Sequence, residues 1–230
     1  MTGGCVKMII SNEKKFIYLR VPKTGSTSVS VFLYENVPLE KDIIRISDTG
    51  EILKQEESCN IKNGYFDDTY TLPGGVHATL DQIVTAGFLK YPLNEYKIYA
   101  VCRNPIDRFL SFYNMMQKVD GVDMLKSYSI FKEYMSMFEA SPQSTWLMHE
   151  KTLINNIFLY EDVHKLVSEI AKKYNILDTS VFYNYRFREY KKQTTSINPK
   201  ALEYIKIYWQ EDFKIYNLLR SKKLANLKIS

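Results

Sequence analysis

Apolar residues along the chain form short strand-like runs that alternate with segments of helical spacing. Residues 16–21 make an apolar run of buried-strand length, and a helix start follows at Ser26. The same order recurs at residues 94–103, where a second strand-like run precedes Pro105, a residue that suits the first turn of a helix. This alternation predicts an α/β fold with a central, mainly parallel sheet and helices on both faces.

The rest of the chain is assigned from the same periodicity. We expect short strands at residues 43–46 and 156–160, and helices at residues 79–89, 124–138, 163–174, from Pro199 and at 210–219. Thr79 is the expected N-cap of its helix. Residues 37–75 are the least periodic part, and we expect a substrate-facing insertion there, with an ordinary surface loop as the alternative. Residues 1–230 are expected to form a single domain.

Composition narrows the class of protein only slightly. The net charge of +5 suits anionic ligands, although a solvated basic surface explains it equally well. The three cysteines, Cys5, Cys59 and Cys102, lack metal-ligand or CxxC spacing, so we expect a reducing compartment and no metal site. No run approaches the roughly 18 apolar residues of a membrane span, and no signal peptide is recognised, which predicts a cytoplasmic protein without a membrane span.

The first candidate site lies between the first strand and its helix, at residues 22–28, which read PKTGSTS. Gly25 allows the backbone to approach a ligand closely, and exposed N–H groups at a helix start attract anions. The helix dipole and Lys23 add positive charge. These features predict a site for a phosphate-bearing ligand. The alternative is an ordinary strand–turn–helix with a Ser/Thr cap and a solvated lysine.

A second candidate anion site follows the second strand. Arg103 closes that strand, and Ser111 lies eight residues later, about two helical turns on. Because ligands of open α/β sheets bind at the carboxyl edge, both side chains could reach one anion. The alternative is that Arg103 and Arg108 form ion pairs with Asp107 or with other acids. Two strand-end anion sites in one sheet suit a nucleotide that carries phosphates at two separate positions.

Two other classes of function are less compatible with the residues. A P-loop kinase acting on a small molecule would need the GxxxxGK[ST] loop, but Lys23 precedes Gly25, and Arg103 stands where a magnesium-binding acid would be expected. A non-enzymatic module that binds nucleic acid or other polyanions would need a concentrated basic stripe with stacking aromatics, which the sequence lacks. We therefore expect no nucleic-acid partner.

Several motifs together resemble a known family. Residues 22–28 resemble the 5′-phosphosulfate loop of sulfotransferases that use 3′-phosphoadenosine 5′-phosphosulfate (PAPS), and residues 103–113 resemble their 3′-phosphate motif. Three further segments resemble the carbohydrate, membrane-type branch, which includes the uronyl 2-O-sulfotransferases: residues 75–83, 142–146 and 208–217. The resemblance implies a three-layer, P-loop-like fold. It also implies metal-free transfer of a sulfuryl group from PAPS to an acceptor hydroxyl, with release of 3′-phosphoadenosine 5′-phosphate (PAP). We expect this hydroxyl on a carbohydrate, with a small-molecule or lipid alcohol as the alternative.

The resemblance also implies roles for individual residues. Lys23 would contact the 5′-phosphosulfate and stabilise charge on the bridging oxygen as the sulfuryl group leaves. Arg103 and Ser111 would bind the 3′-phosphate. The 5′-phosphate would be held by the backbone or hydroxyl groups of Thr24, Gly25, Ser26, Thr27 and Ser28. Lys192 and Thr194 match, more loosely, a loop that closes over the nucleotide in the family.

His77 is the candidate base, because it matches the position of the catalytic histidine in the uronyl 2-O-sulfotransferases. An imidazole with an ordinary pKa of roughly 6.5 can accept a hydroxyl proton near neutral pH. Of the other histidines, His164 is expected at the surface and His149 could be structural or functional. If His77 is not the base, Glu161 or Asp162, which follow the strand at residues 156–160, are the next candidates.

Overall fold

A computed structural model of the protein describes residues 8–36, 43–46, 52–53, 77–120, 123, 127–137, 140–176, 178–184 and 199–227. Within these residues the strands are β1 (Met8–Ser11), β2 (Phe16–Leu19), β3 (Ile43–Ile46), β4 (Ile52–Leu53), β5 (Lys97–Cys102), β6 (Met148–His149), β7 (Thr152–Leu153) and β8 (Asn156–Leu159). The helices are α1 (Ser26–Asn36), α2 (Leu80–Thr85), α3 (Pro105–Asp120), α4 (Tyr128–Met135), α5 (Ser144–Leu147), α6 (Val163–Tyr174), α7 (Ser180–Asn184), α8 (Pro199–Tyr208) and α9 (Gln210–Leu227).

The central sheet among the described residues has the strand order β4-β3-β1-β2-β5-β8. Its β2, β5 and β8 strands are parallel and in register, with Leu19 opposite Ala100 and Cys102 opposite Leu159. The β1, β3 and β4 strands extend the sheet through antiparallel pairs. The predicted α/β fold is confirmed, and its parallel strands carry the loops of interest at their carboxyl ends.

Side chains of the parallel strands alternate between the two faces of the sheet, as a period of two requires. Ile17, Leu19, Ala100 and Cys102 pack on one face with residues of α2, α5 and α9. Phe16, Tyr18, Tyr99 and Val101 pack on the other face with residues of α1 and α6. Burying one large apolar side chain contributes about 1.5–3 kcal/mol, so both helical layers are held firmly on the sheet.

A third apolar cluster joins α3 to α4, α8 and α9. Its centre is aromatic: the Phe109 ring meets the edges of Phe131 and Trp209, at centroid distances of 5.9 and 6.4 Å. Edge-to-face packing of this kind adds to the energy of burial. The cluster fixes α3, the helix that carries Arg108 and Ser111.

Most predicted elements are found, with some changes in extent. The helix of residues 163–174 has the predicted bounds, and Thr79 caps α2 through a reciprocal pair of bonds with Gln82. The α2 helix ends at Thr85 instead of residue 89, because the chain turns at Gly87, where φ is +72°. The β1 strand was not predicted.

Much of the segment 37–75 lies outside the described residues. Its described parts, β3 and β4, are strands at the edge of the sheet. In the part of the chain that is described, no helix combines the length and apolar character needed to cross a membrane.

Candidate functional site

Three loops meet at the carboxyl edge of the parallel strands. β2 leads into the loop of residues 20–25, β5 into Arg103, and β8 into Tyr160. Since these strands are parallel and in register, the three chain segments lie side by side. The predicted convergence of the first loop and Arg103 at one sheet edge is therefore present.

Two arginines bind successive carbonyl groups of the first loop. Arg108 Nε donates to the Pro22 carbonyl at 3.0 Å, and Arg103 Nη1 donates to the Lys23 carbonyl at 3.1 Å. In a trans peptide the N–H of the next residue points opposite to the carbonyl. The arginines therefore fix two carbonyl oxygens, and the N–H groups of Lys23 and Thr24 point away from the oxygen that each arginine holds.

The loop itself is shaped by left-handed backbone at Lys23 and Gly25, with φ of +64° and +73°. The Thr24 hydroxyl is buried and donates to the Val21 carbonyl at 2.9 Å, so Thr24 closes the turn with its side chain. The α1 helix begins directly after it, at Ser26, with no acidic residue in its first turn. The N–H groups of a first helical turn and the positive end of the helix dipole suit an anion.

Arg103 is held on several sides yet keeps one unused donor. Its guanidinium lies 4.4 Å from the centroid of the Tyr160 ring, a cation–π contact. Burial lowers the pKa of Arg103, which nonetheless stays a cation at neutral pH. Its Nε is buried and has no hydrogen-bond partner among the described residues. A bound anion would satisfy a buried donor of this kind.

Ser111 lies on the side of α3 that faces the loop. Met115, four residues later and hence on the same helix face, places its Sδ 3.0 Å from Lys23 Nζ. Arg108, three residues earlier, reaches Pro22 from the same helix. Lys23, Arg103 and Ser111 are therefore brought to one edge of the sheet.

Arg108 and Arg103 have different surroundings. Arg108 is 1% exposed and lies 3.9 Å from the carboxylate of Asp212 on α9, while burial lowers its pKa to about 10. It also donates to the Ser141 carbonyl at 2.8 Å. The alternative prediction, that the arginine forms an ion pair with an acid elsewhere in the chain, is therefore correct for Arg108. Within the described part of the chain, Arg103 pairs with no carboxylate.

His77 lies against the strand end that precedes the loop. Its Nδ1 is 2.6 Å from the Arg20 carbonyl, which can only accept, so we assign the hydrogen to Nδ1 and leave Nε2 as the acceptor of the neutral ring. Burial, followed by the positive charge of Arg20, lowers the pKa of His77 to about 4. The ordinary value expected from sequence is therefore not kept, and His77 is neutral at neutral pH.

The other candidates for a base have structural partners. His149 pairs with Asp81, and Glu161 accepts a hydrogen bond from the Tyr216 hydroxyl at 3.1 Å. The pKa of Asp162 is lowered: burial acts to raise it, but hydrogen bonds from Lys223 and Lys165 outweigh burial. His164 is exposed on α6, as expected.

Five residues near the site were not predicted. They are Arg20, Asn104, Gln143, Tyr160 and Asp212. Arg20 directly follows β2, just as Arg103 directly follows β5. This shared position after a parallel strand could have identified Arg20 as a site residue from the sequence. Asn104 accepts from the N–H groups of Ile106 and Asp107 and so caps α3, a role that its place before Pro105 indicates. The predicted residues Lys192 and Thr194 lie outside the described residues.

The fold and the cationic strand ends define an α/β protein with a candidate anion-binding site at the carboxyl edge of its parallel strands. The chain matches the sequence model described as Sulfotransferase family over residues 6–218. It therefore belongs to this family, whose activity is sulfuryl transfer. No curated protein and no solved structure matches the chain.

Gly25→Ala tests how tightly the loop is packed. An added Cβ would lie 2.7 Å from Cε2 of Tyr160, so either the loop or the ring that covers Arg103 must move. Gly87→Ala is a matched control, because Gly87 has almost the same φ but no atom within 4 Å of the added Cβ. Both substitutions should lower the free energy of unfolding by about 1–2 kcal/mol through backbone strain, and Gly25→Ala by more.

Denaturant unfolding of both variants, with and without Tyr160→Ala, measures the difference. Removing the ring should abolish the extra loss at Gly25. Equal losses at the two glycines would show that Tyr160 does not constrain the loop.

The protonation state of His77 is the second test. Because its pKa is lowered to about 4, the ring should stay neutral, with hydrogen on Nδ1, as the pH falls from 7 to 5. Long-range ¹H–¹⁵N NMR correlations report both the charge and the tautomer, with His149→Gln and His164→Gln used for assignment. A midpoint near pH 6.5, or hydrogen on Nε2, would contradict the arrangement.

Proposed function

We propose that the chain uses PAPS as its sulfuryl donor and releases PAP. The observation that carries the proposal is the pair of cationic strand ends: the loop of residues 22–28 and the separate guanidinium of Arg103, with its unused Nε donor. A donor with charge at both the 5′ and the 3′ position would use both. A nucleotide without a 3′-phosphate would leave Arg103 Nε unsatisfied.

The roles proposed for the residues follow from this assignment. The backbone N–H groups of residues 24–27 and the hydroxyls of residues 26–28 bind the 5′-phosphate. Arg103 and Ser111 bind the 3′-phosphate, and the guanidinium supplies a fork of donors to its oxygens. Lys23 balances the charge that develops on the bridging oxygen, so the protein provides its stabilising charge without a metal. Lys192 and Thr194 remain predicted contacts of a closing loop.

His77 is proposed as the base. The acceptor oxygen forms a bond to sulfur while its proton passes to His77 Nε2, and the bond between sulfur and the bridging oxygen breaks, leaving the electron pair on the phosphate of PAP. A base with a pKa of about 4 is weak, but the negative charge of the donor offsets the cations Arg20 and Lys23. Binding of the donor should thus raise the pKa of His77 toward a more useful value.

A carbohydrate hydroxyl is the proposed acceptor, with a small-molecule or lipid alcohol as the alternative. The support is local: two segments that resemble the carbohydrate branch, residues 75–83 and 142–146, are joined by a hydrogen bond from Trp146 Nε1 to the His77 carbonyl. The segments that carry the resemblance therefore meet at the candidate base. The single domain and the cytoplasmic location stay predictions from sequence.

Calorimetric titration tests the donor. The unmodified chain should bind PAP more tightly than adenosine 5′-phosphate, which lacks only the 3′-phosphate, by about ten- to a hundred-fold, as expected for charge-assisted hydrogen bonds. Arg103→Gln should remove most of this preference. Lys222→Gln, which removes a cation from the exposed end of α9, should leave it unchanged.

Titration with ATP, with and without magnesium, completes the test. A kinase would bind ATP in a magnesium-dependent way and show no preference for PAP. A polyanion-binding module would discriminate among none of the nucleotides and would lose affinity steeply with salt. Either result would overturn the assignment of PAPS.

A further inference from the structure

Residues 142–146, which we call the Gln143 segment, lie between the candidate site and the C-terminal helix α9. The side chain of Gln143 is fully buried. A buried side-chain amide needs hydrogen-bond partners for both its N–H donors and its oxygen acceptor, because leaving either unsatisfied lowers stability. Here both partners belong to Arg103, a residue of the proposed PAPS site.

The Gln143 side chain forms two hydrogen bonds with the backbone of Arg103. Its Oε1 accepts from the Arg103 N–H at 3.1 Å, and its Nε2 donates to the Arg103 carbonyl at 2.8 Å. Arg103 is the first residue beyond β5, where regular strand pairing stops. The amide thus takes the place of a neighbouring peptide group and fixes the point from which the guanidinium extends.

Asp212 in turn fixes the Gln143 segment. Its two carboxylate oxygens accept from the N–H groups of Gln143 and Ser144, at 2.7 and 2.8 Å. Asp212 is fully buried, and burial raises its pKa although the cation of Arg108 and these N–H groups oppose the rise. The carboxylate therefore connects α9 to the backbone of Arg103 through a single intermediate residue.

The Asp212 carboxylate is also close to Arg108, the second residue that holds the loop after β2. Asp212 lies 3.9 Å from Arg108, whose Nε binds the Pro22 carbonyl. Two routes thus lead from Asp212 to the candidate donor site: through Gln143 to Arg103, and through Arg108 to the loop. Neither Asp212 nor Gln143 is placed to touch a nucleotide, because both side chains are fully buried and their polar atoms are bonded to backbone groups of the protein.

We propose that Gln143 is a positioning residue for recognition of the 3′-phosphate, and that Asp212 on α9 holds it in place. The proposal rests on the assignment of PAPS as donor. Gln143 acts by keeping the Arg103 backbone where its guanidinium meets the 3′-phosphate. A merely structural role would lower stability without changing the preference between nucleotides that differ only in that phosphate.

The test is the ratio of the dissociation constants of adenosine 5′-phosphate and PAP, measured by calorimetry on the full chain. Gln143→Leu removes both bonds to Arg103 at similar side-chain size and should lower the ratio about ten-fold, through weaker PAP binding, with adenosine 5′-phosphate little affected. Gln210→Leu, at an exposed position at the start of α9, is the matched control and should leave the ratio unchanged.

Asp212→Asn provides an independent arm, because it keeps the size of the side chain but cannot accept from both N–H groups. It should lower the ratio in the same direction, whereas Glu211→Gln, whose carboxylate pairs with Lys214 at the surface, should not. If the unmodified chain prefers PAP and both variants keep that preference, the positioning role is wrong while the donor stands. If the unmodified chain has no preference for PAP, the donor assignment itself fails.

Discussion

The candidate site depends most on the two hydrogen bonds by which Arg108 and Arg103 hold the Pro22 and Lys23 carbonyls. Without them, two carbonyl dipoles could rotate toward the ligand side of the loop and repel an anion. With them, the loop is shaped before any ligand binds, so less ordering has to be provided by the ligand. The left-handed backbone at Lys23, which costs about 1–2 kcal/mol for a residue with a Cβ, is maintained by these contacts.

The two arginines share this task but differ in their second role. Arg108 is enclosed by Asp212, the Ser141 carbonyl and the ring of Trp209, 4.7 Å away, and serves the protein interior. Arg103 faces the strand edge and keeps a donor for a ligand. Burial lowers the pKa of the nearby His77, and the positive charges of Arg20, Lys23 and Arg108 lower it further. Positive charge near the candidate anion site thus also helps to preserve the acceptor nitrogen of the candidate base.

The sequence was informative where the signal is local. The strand–turn–helix order around residues 22–28, the Thr79 cap and the bounds of α6 depend on neighbouring residues, and each was predicted. The β1 strand was not, because its four residues acquire their meaning only by pairing with β2 and β3. The roles of Gln143 and Asp212 were not predicted for the same reason: the two residues are 69 positions apart, and their contacts exist only in the folded chain. The lowered pKa of His77 likewise follows from tertiary burial.

Transfer of ³⁵S from labelled PAPS to a panel of acceptors tests the central claim, that the cationic loop and neutral His77 together move a sulfuryl group to a hydroxyl. The panel contains a uronic-acid polysaccharide, a neutral oligosaccharide and a phenol. We expect transfer to a carbohydrate that His77→Asn lowers by about 10²–10⁴-fold, while PAP binding persists and His164→Asn has no effect. Full transfer by His77→Asn, or no transfer from PAPS to any hydroxyl, would contradict it.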